Sequence, residues 1–284
     1  SIMLPRANVA ALRINDVLKT KVNVTDPENP VLPAQDVKGT VEFDNVSFAY
    51  PEAGENVLTD ISFKAEKGET IAVIGSTGSG KSTLVNLIPR FYDVTKGRIL
   101  VDGVDVRDMT QKDVRSRLGY VPQKGILFSG TIDSNIRYGK TDISVEEVKE
   151  AAEVAQATEF IDAKPETYDS PISQGGTNVS GGQKQRLSIA RAIAKKPEIF
   201  IFDDSFSALD FKTDSTLRKA LKAHTKDATT IIVAQRISTI LNADKIIVLD
   251  DGHMAGIGTH KELMKNCEVY RQIAMSQLSE EELA

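Results

Sequence analysis

The sequence predicts an α/β fold in which a parallel sheet lies between helices, and three observations support this prediction. From Thr70 onward, short apolar segments of strand length alternate with helical patterns, which is typical of parallel α/β sheets. A glycine-rich segment joins the first of these strands to a helix. The chain has 284 residues, 40% of them hydrophobic, which is enough to bury a large core. We therefore expect buried strands at residues 70–74, 199–202, 229–234 and 245–249.

The residues before this sheet predict a helix, a linker and a small antiparallel sheet. Apolar side chains recur at helical spacing in residues 1–20. Three prolines in residues 21–38 predict an extended linker. The main domain is expected to span residues 39–278 and to begin with antiparallel strands at residues 40–48 and 57–63.

Helical patterns dominate one internal region of this domain. Residues 125–193 predict a helical insertion in the α/β core, and residues 144–157 have the clearest helical periodicity. The last residues, 279–284, are acidic and are expected to form a frayed tail.

Composition argues against several classes of function. The net charge is −5 and no Lys/Arg block is interleaved with aromatic residues, so nucleic acid is not an expected partner. Cys267 is the only cysteine, which excludes a disulfide within the chain and fits a reducing cytoplasmic setting. No apolar run approaches the roughly 20 residues that span a bilayer. The chain as given is therefore expected to be soluble.

A glycine-rich segment at residues 75–82, Gly-Ser-Thr-Gly-Ser-Gly-Lys-Ser, matches the phosphate-binding pattern G-x-x-x-x-G-K-[ST] at every position. Its glycines let backbone N–H groups face a polyphosphate, Lys81 reaches the β and γ phosphates, and Ser82 ligates Mg²⁺. A chance Gly/Ser turn would explain neither the lysine nor the flanking strand and helix. The sequence thus predicts a P-loop NTPase (RecA-like) core with ATP bound by Gly75, Ser76, Thr77, Gly78, Ser79, Gly80, Lys81, Ser82 and Thr83.

An acidic residue ends the predicted strand at residues 199–202. This strand delivers Asp203 to the carboxyl edge of the sheet, where nucleotides bind in such folds. An acid at the end of a strand is common, so the position is informative only together with the phosphate loop. We expect Asp203 to hold the magnesium shell.

A second glycine motif identifies the family that this chain resembles. Asn-Val-Ser-Gly-Gly-Gln at residues 178–183 resembles the signature sequence of ATP-binding cassette (ABC) proteins, with Val179 where leucine is usual. The resemblance implies that this segment meets the γ-phosphate of a partner subunit's nucleotide at a helix N-terminus. A simple helix N-cap is the alternative interpretation. The residues concerned are Ser180, Gly181, Gly182 and Gln183.

Other motifs follow in the order that ABC proteins have. Tyr50 resembles the aromatic residue that stacks on adenine, and Gln123 resembles the Q-loop glutamine that binds Mg²⁺ and water. Asp210, in Ser-Ala-Leu-Asp, resembles the D-loop that crosses the dimer seam. An incidental tyrosine, a solvated loop glutamine and a helix cap are the respective alternatives. The resemblance covers residues 39–277.

Two further segments are similar to exporters within this family. Residues 128–136 resemble the segment that meets the coupling helices of the membrane domain, and residues 6–20 resemble the cytoplasmic end of the last transmembrane helix. A free-standing N-terminal helix is the alternative for the latter. The resemblance implies a half-transporter at the cytoplasmic face of the membrane, with its own transmembrane domain and a second half-transporter as partners.

Two positions depart from the catalytic pattern of the family. Asp204 stands where a glutamate usually polarises the attacking water, and Gln235 stands where a histidine usually contacts the γ-phosphate. Aspartate is one methylene shorter than glutamate, so its carboxylate reaches roughly 1.5 Å less far. Glutamine, unlike histidine, cannot take up a proton. We therefore expect the catalytic set Asp204, Gln235, Gln123 and Lys81 to bind ATP and hydrolyse it poorly. Ser173-Gln-Gly-Gly176 is a further departure, standing where many exporters carry Gly-Glu-Arg-Gly.

Paired departures of this kind resemble the weak-site subunit of a heterodimeric multidrug-type exporter. The resemblance implies a different partner chain that carries glutamate and histidine at these places. A competent homodimeric exporter remains the first alternative. A soluble ABC ATPase acting on DNA or ribosomes is the second, and it would be expected to show a coiled-coil insertion, a basic groove or tandem cassettes, none of which the sequence contains.

Overall fold

The computed structural model describes residues 3–278, so the predicted tail at residues 279–284 lies outside the described residues. The α-helices of this range are α1 (Met3–Lys19), α2 (Lys81–Leu87), α3 (Gln111–Ser116), α4 (Ile132–Ile136), α5 (Val145–Val154), α6 (Thr158–Asp162), α7 (Gly181–Ala194), α8 (Phe211–His224), α9 (His260–Asn266) and α10 (Glu268–Gln277). Short 3₁₀ turns occur at Thr167–Asp169, Gln174–Gly176 and Ile237–Thr239.

The strands of the described range form three sheets. They are β1 (Val41–Phe48), β2 (Leu58–Ala65), β3 (Thr70–Gly75), β4 (Lys96–Val101), β5 (Val104–Asp105), β6 (Leu118–Val121), β7 (Gly130–Thr131), β8 (Pro171–Ile172), β9 (Ile199–Asp203), β10 (Thr229–Val233), β11 (Lys245–Asp250) and β12 (His253–Gly258). The sheet orders are β12-β11-β3-β10-β9-β6, β2-β1-β4-β5 and β7-β8.

The central sheet confirms the predicted α/β fold. Strands β11, β3, β10, β9 and β6 are parallel neighbours, and only β12 pairs antiparallel, at the edge. Ile71 of β3 and Ile201 of β9 both align with Ile231 of β10, and all three side chains are fully buried. Because the strands are parallel, the segments that follow β3, β9 and β10 leave the sheet at one edge.

The antiparallel sheet contains the two predicted strands as β1 and β2, and it also contains β4 and β5. Strand β4 pairs with β1 on the side opposite β2. Its first three residues, Lys-Gly-Arg, are exposed, so it lacks the continuous apolar run that announces a buried strand. Its last residues, Ile99 and Val101, join the same apolar cluster as β1, β2, β3 and α2.

Residues 125–193, the predicted helical insertion, contain α4, α5, α6 and most of α7 and enclose the small sheet of β7 and β8. The helix predicted at residues 144–157 is shorter in the structure. Ser144 caps α5 through a capping box with Glu147. At the other end, Gln156 adopts a positive φ of 56°, which an α-helix cannot continue through. The residues of α4, α5 and α7 share an apolar cluster with β9.

The N-terminal helix and the linker differ in how they contact the domain. The apolar residues predicted to line α1 are exposed, with Val9 57% and Leu18 78% accessible. The predicted linker, residues 21–38, contains no helix or strand. Part of it is attached to the domain: Arg90 Nη2 donates to Thr25 O (3.0 Å) and Gln111 N donates to Asp26 Oδ1 (2.9 Å). No helix within residues 3–278 is both long and apolar enough to cross a membrane.

Candidate nucleotide site

The phosphate loop has the conformation that its glycines predict. It leaves β3 at Gly75 and enters α2 at Lys81, and Gly80 immediately before the helix has φ 102°. A Cβ atom at Gly75 would lie 2.3 Å from the carbonyl oxygen of Leu249, and one at Gly80 would lie 2.7 Å from the Leu58 side chain. Gly78 also has a positive φ, of 81°, but faces open space. The loop therefore requires glycine at two positions for packing and at two for its backbone conformation.

Lys81 bridges the loop from the first turn of α2. Its Nζ donates to Gly75 O at 2.8 Å and to Ser76 O at 2.7 Å. Burial lowers the pKa of Lys81, and the charges of Asp204 and Asp203 oppose this shift. The ammonium group is thus held at the phosphate loop, where phosphate oxygens would be better acceptors than the two carbonyls.

Ser82 and Asp203 lie in direct contact, as the predicted magnesium site requires. Ser82 Oγ donates to Asp203 Oδ1 at 2.9 Å, and Asp203 ends β9 with only 5% of its surface exposed. Burial raises the pKa of Asp203 and the charge of Asp204 adds to this, whereas the Ser82 hydrogen bond and Lys81 lower it.

These groups fit a magnesium ion that is shared with a polyphosphate. Asp203 and Asp204 are two adjacent buried carboxylates with Lys81 as the nearby cation, so a divalent cation would offset the charge left in the site. Within residues 3–278, no three or more His, Cys, Asp or Glu side chains cluster as a metal cage. Mg²⁺ is commonly coordinated by one or two carboxylates, phosphate oxygens and water, and the residues of this site match that ligand preference.

Two glutamine side chains donate hydrogen bonds to the same carboxylate oxygen of Asp204. Gln123 Nε2 donates to Asp204 Oδ2 at 3.1 Å, and Gln235 Nε2 donates to the same oxygen at 2.7 Å. The Asp204 backbone has a positive φ of 47° and its side chain is buried. A cavity of about 210 Å³ is lined by Asp204, Gln235 and residues near each of them in the sequence. The sequence identified all three residues but not their convergence on one oxygen.

Tyr50 lies beside the phosphate loop, as its predicted adenine contact requires. Its hydroxyl is 2.9 Å from Thr83 Oγ1 on α2. Its ring is half-buried and makes edge contacts with Phe48 and Tyr92, at centroid distances of 4.9 and 5.1 Å. The aromatic group is thus fixed against the helix that carries Lys81, and stacking on adenine remains a prediction.

The remaining predicted residues act as helix caps within this chain. Ser180 and Gln183 form a capping box at the start of α7, and Asp210 caps α8 by accepting from Thr213 N at 2.9 Å. The Cβ position of Gly182 lies 3.6 Å from Ala208 O, so the signature and the D-loop are neighbours. No hydrogen bond among the described residues joins Ser180, Gln183 or Asp210 to residues 75–83. Their contact with a nucleotide stays a prediction.

Two residues of α7 connect the signature helix to the Q-loop region and were not predicted. Gln185, which is 1% exposed, donates to Pro122 O at 3.0 Å. Arg191 donates to Ile126 O at 2.9 Å and to Asn135 O at 2.8 Å, and burial lowers its pKa to about 10. The sequence does carry a signal for Gln185, because it occupies the same helical stripe as the apolar residues four and seven positions later.

A second cavity, of about 360 Å³, lies away from these groups. Its lining includes Lys67, Pro197 and Ala228, which precede β3, β9 and β10. It therefore opens at the amino-terminal edge of the parallel sheet, opposite the phosphate loop.

An α/β core with a phosphate loop, a serine–aspartate pair and a separate signature helix defines a nucleoside-triphosphate-binding domain of the cassette type. Comparison with known families agrees, because the profile described as ABC transporter matches residues 58–207. The chain belongs to the ABC transporter family, as its motifs predicted.

The chain is similar in sequence to ABC transporter proteins, including one named as a putative multidrug exporter. It is 47% identical to an uncharacterized ABC transporter ATP-binding protein of Mycobacterium tuberculosis, over 97% of this chain and 47% of that protein. It is 46% identical to a Bacillus subtilis protein named "Putative multidrug export ATP-binding/permease protein YgaD", over 92% of this chain and 45% of the relative. The chain thus spans about half the length of the curated relatives that it matches.

A solved structure shows the same fold. The structure of a bacterial Atm1-family ABC exporter with ATP bound has a TM-score of 0.90 and 38% sequence identity to this chain, and it covers 97% of this chain and 48% of the exporter chain. The fold is therefore that of an exporter-type ATP-binding domain.

Proposed function

We propose that this chain is the motor domain of a membrane exporter and that it binds Mg·ATP at a site of its own that hydrolyses poorly. The observation that carries the proposal is the placement of Lys81, Asp203 and Asp204 together beside a glycine loop at the carboxyl edge of the sheet. The site residues and the exporter-type fold support an ATP-driven cycle, in which two cassettes close on bound nucleotide and reopen after release.

Each residue of the site has a distinct task in this proposal. The backbone of the phosphate loop and Lys81 hold the β and γ phosphates, and Tyr50 supports the adenine. Bound Mg²⁺ would neutralise the phosphate charge, with Ser82, Asp203 and Gln123 as the residues that would hold it or its water. Ser180, Gly181, Gly182, Gln183 and Asp210 would serve the partner's nucleotide across the interface between two cassettes.

Weak hydrolysis is proposed because Asp204 is a poor base in this setting. A general base must accept a proton from the attacking water, yet both glutamines donate to one oxygen of the Asp204 carboxylate. That oxygen is therefore already engaged, and the aspartate side chain is one methylene shorter than the usual glutamate, so its carboxylate reaches roughly 1.5 Å less far. Gln235 also cannot gain charge as a histidine would. Binding groups are therefore retained while the groups that activate water are weakened.

A weak site on this chain implies a stronger one elsewhere in the transporter. The near-standard signature at residues 180–183 forms the well-capped start of α7, where Ser180 and Gly181 are exposed, so it is free to complete a site on another chain. We propose a different half-transporter as that partner, with glutamate and histidine at the two departed positions.

The contact with a membrane domain is proposed for an aromatic surface next to the Q-loop. Phe128 and Tyr138 stack at a centroid distance of 4.3 Å and remain 42% and 56% exposed. Arg191 lies beneath both rings, at 5.5 and 5.6 Å from their centroids. Because Arg191 belongs to the signature helix, a membrane segment resting on these rings would be linked to the signature through one side chain. This surface and the exposed α1 support our proposal that the intact protein lies at the cytoplasmic face of a membrane.

Two experiments on the full-length transporter test the proposal. In the first, two copies with different tags are produced in the host, and one tag is used for purification. Recovery of a second half-transporter chain with glutamate and histidine at these positions, and little of the other tag, is expected. Recovery of the second tag in equal amount would instead favour the competent homodimer.

The second experiment follows the nucleotide held by the purified transporter. After loading with Mg·ATP and removal of free nucleotide, we expect about one uncleaved ATP for each copy of this chain. Rapid conversion of all retained ATP to ADP would refute the weak site, and failure to retain ATP at all would refute the binding site.

A further inference from the structure

The C-terminal helix ends in a side chain that holds the loop carrying Gln235. Gln277 is the last residue of α10. Its Nε2 donates to Gln235 O at 2.8 Å, and its Oε1 accepts from Ile237 N at 2.8 Å. One carboxamide therefore pairs with the backbone on both sides of Arg236, in the manner of a neighbouring strand.

The helix that presents Gln277 has a fixed position against the sheet. Tyr270 and Ala274 of α10 are fully buried and belong to the same apolar cluster as Ala234 and Ile237. The Tyr270 hydroxyl is 2.7 Å from His260 Nδ1, which joins α10 to the helix before it. Gln277 itself is exposed, so it is connected to the loop by its two hydrogen bonds and not by burial.

The opposite end of the Gln235 loop is held by the central sheet. Ala234 N donates to Val73 O at 3.1 Å, and Asp204 N donates to Val233 O at 3.0 Å. The Gln235 side chain then reaches Asp204. The loop thus has one anchor in the sheet and one in α10, and the position of the Gln235 carboxamide depends on both.

We propose that Gln277 is a positioning residue for nucleotide recognition, through which the docking of α10 sets the position of Gln235. This rests on the proposed function and adds to it that Gln235 contacts the γ-phosphate, as the histidine usual at this position does in the family. ATP and ADP differ in that phosphate, so a displaced Gln235 weakens binding of ATP and leaves binding of ADP unchanged.

The test compares Gln277→Ala, Gln277→Glu and the matched control Gln272→Ala in the 284-residue chain. Gln272 lies on the same helix and bonds only Glu268 of its own helix, at 3.2 Å. The first readout is hydrogen exchange of the Ile237 amide without nucleotide. A net hydrogen bond contributes about 0.5–1.5 kcal/mol, so Gln277→Ala should speed this exchange roughly three- to tenfold. Gln277→Glu keeps the acceptor and should preserve protection.

The second readout is the ratio of the Mg·ATP and Mg·ADP dissociation constants, measured by calorimetry. Gln277→Ala should reduce the preference for ATP by about threefold, a change at the low end of one hydrogen bond, and Gln272→Ala should not. Gln277→Glu loses the donor to Gln235 O and should also reduce the preference. A role limited to holding the loop would still change the exchange of the Ile237 amide, but it would leave the ratio unchanged in both Gln277 variants.

Two outcomes overturn the inference: Ile237 exchange that is equal in Gln277→Ala and Gln272→Ala, or an ATP preference that is the same in both. Failure of the proposed function is a separate result. A wild-type chain that binds no Mg·ATP would refute the nucleotide site, while the exchange comparison without nucleotide would still decide whether Gln277 holds the loop.

Discussion

Replacing the two departed residues by those usual in the family is the sharpest test of the proposed weak site. The change is the double substitution Asp204→Glu with Gln235→His in the full-length transporter. Asp204 is buried directly after β9, and its Oδ2 lies 2.7 Å from Gln235 Nε2, so both substitutions act on the same contact. We expect faster hydrolysis at this site and little change in the affinity for ATP, since the phosphate loop is untouched.

The expected increase in the hydrolysis rate follows from how far the carboxylate extends. Glutamate extends the carboxyl group by roughly one C–C bond, about 1.5 Å, and a displacement near 1 Å can change a rate by about 10²-fold. A positioned general base contributes about 10²–10⁴-fold. Since Gln123 still donates to the carboxylate, we expect the lower end of this range, about 10²-fold. A longer side chain also meets the cavity of about 210 Å³ beside Asp204, which provides space for it.

The assay must separate hydrolysis at this site from hydrolysis at the site of the proposed partner. Purified transporter is loaded with radiolabelled Mg·ATP, free nucleotide is removed, and the retained ATP is followed as it converts to ADP. The slow phase belongs to this chain if Lys81→Ala removes it. The double variant should accelerate that phase about 10²-fold, while the size-matched control Asp204→Asn should not accelerate it. An unchanged slow phase in the double variant would refute the reasoning.

Three further predictions concern binding, ionisation and stability. Lys81→Ala should weaken Mg·ATP binding to the chain at least tenfold in calorimetry, because a charged donor to phosphate contributes about 1.5–3 kcal/mol; Lys67→Ala, at the opposite sheet edge, should not. The hydrogen bond from Lys196 is the main reason that the pKa of Glu147 falls to about 2. Because the folded pKa is depressed, this contact favours folding above about pH 4.5 and its contribution is lost as the pH falls toward 2. In Lys196→Ala, a carboxyl NMR titration should show the pKa of Glu147 rising toward 4.5, and an unmoved pKa would contradict the assignment. Gln185→Met removes a buried hydrogen bond to the carbonyl of Pro122. It should lower the free energy of unfolding, measured by urea denaturation, by about 1–3 kcal/mol. An unchanged free energy would show that the carbonyl finds another donor.

Sequence reasoning predicted the elements whose signal is local. The four buried strands were expected from short apolar runs, and the phosphate loop was expected from the spacing of its glycines, Lys81 and Ser82. Strands β6 and β12 were missed because each contains glycine, which has a low strand propensity. The Cβ position at Gly119 in β6 lies 2.7 Å from the Pro197 side chain, so close packing, which a sequence pattern does not show, explains that glycine.

By itself, the sequence determined the α/β class, the phosphate loop, the family and the two departed residues, because each depends on residue type and spacing along the chain. The tertiary structure alone decided that Gln123 and Gln235 share one oxygen of Asp204, and that Gln277 holds the Gln235 loop from 40 positions away. These contacts depend on the order of strands in the sheet and on where α10 packs. Both are set by the burial of apolar surface across the whole domain. The sequence around a single polar residue therefore does not show which distant residue it will contact.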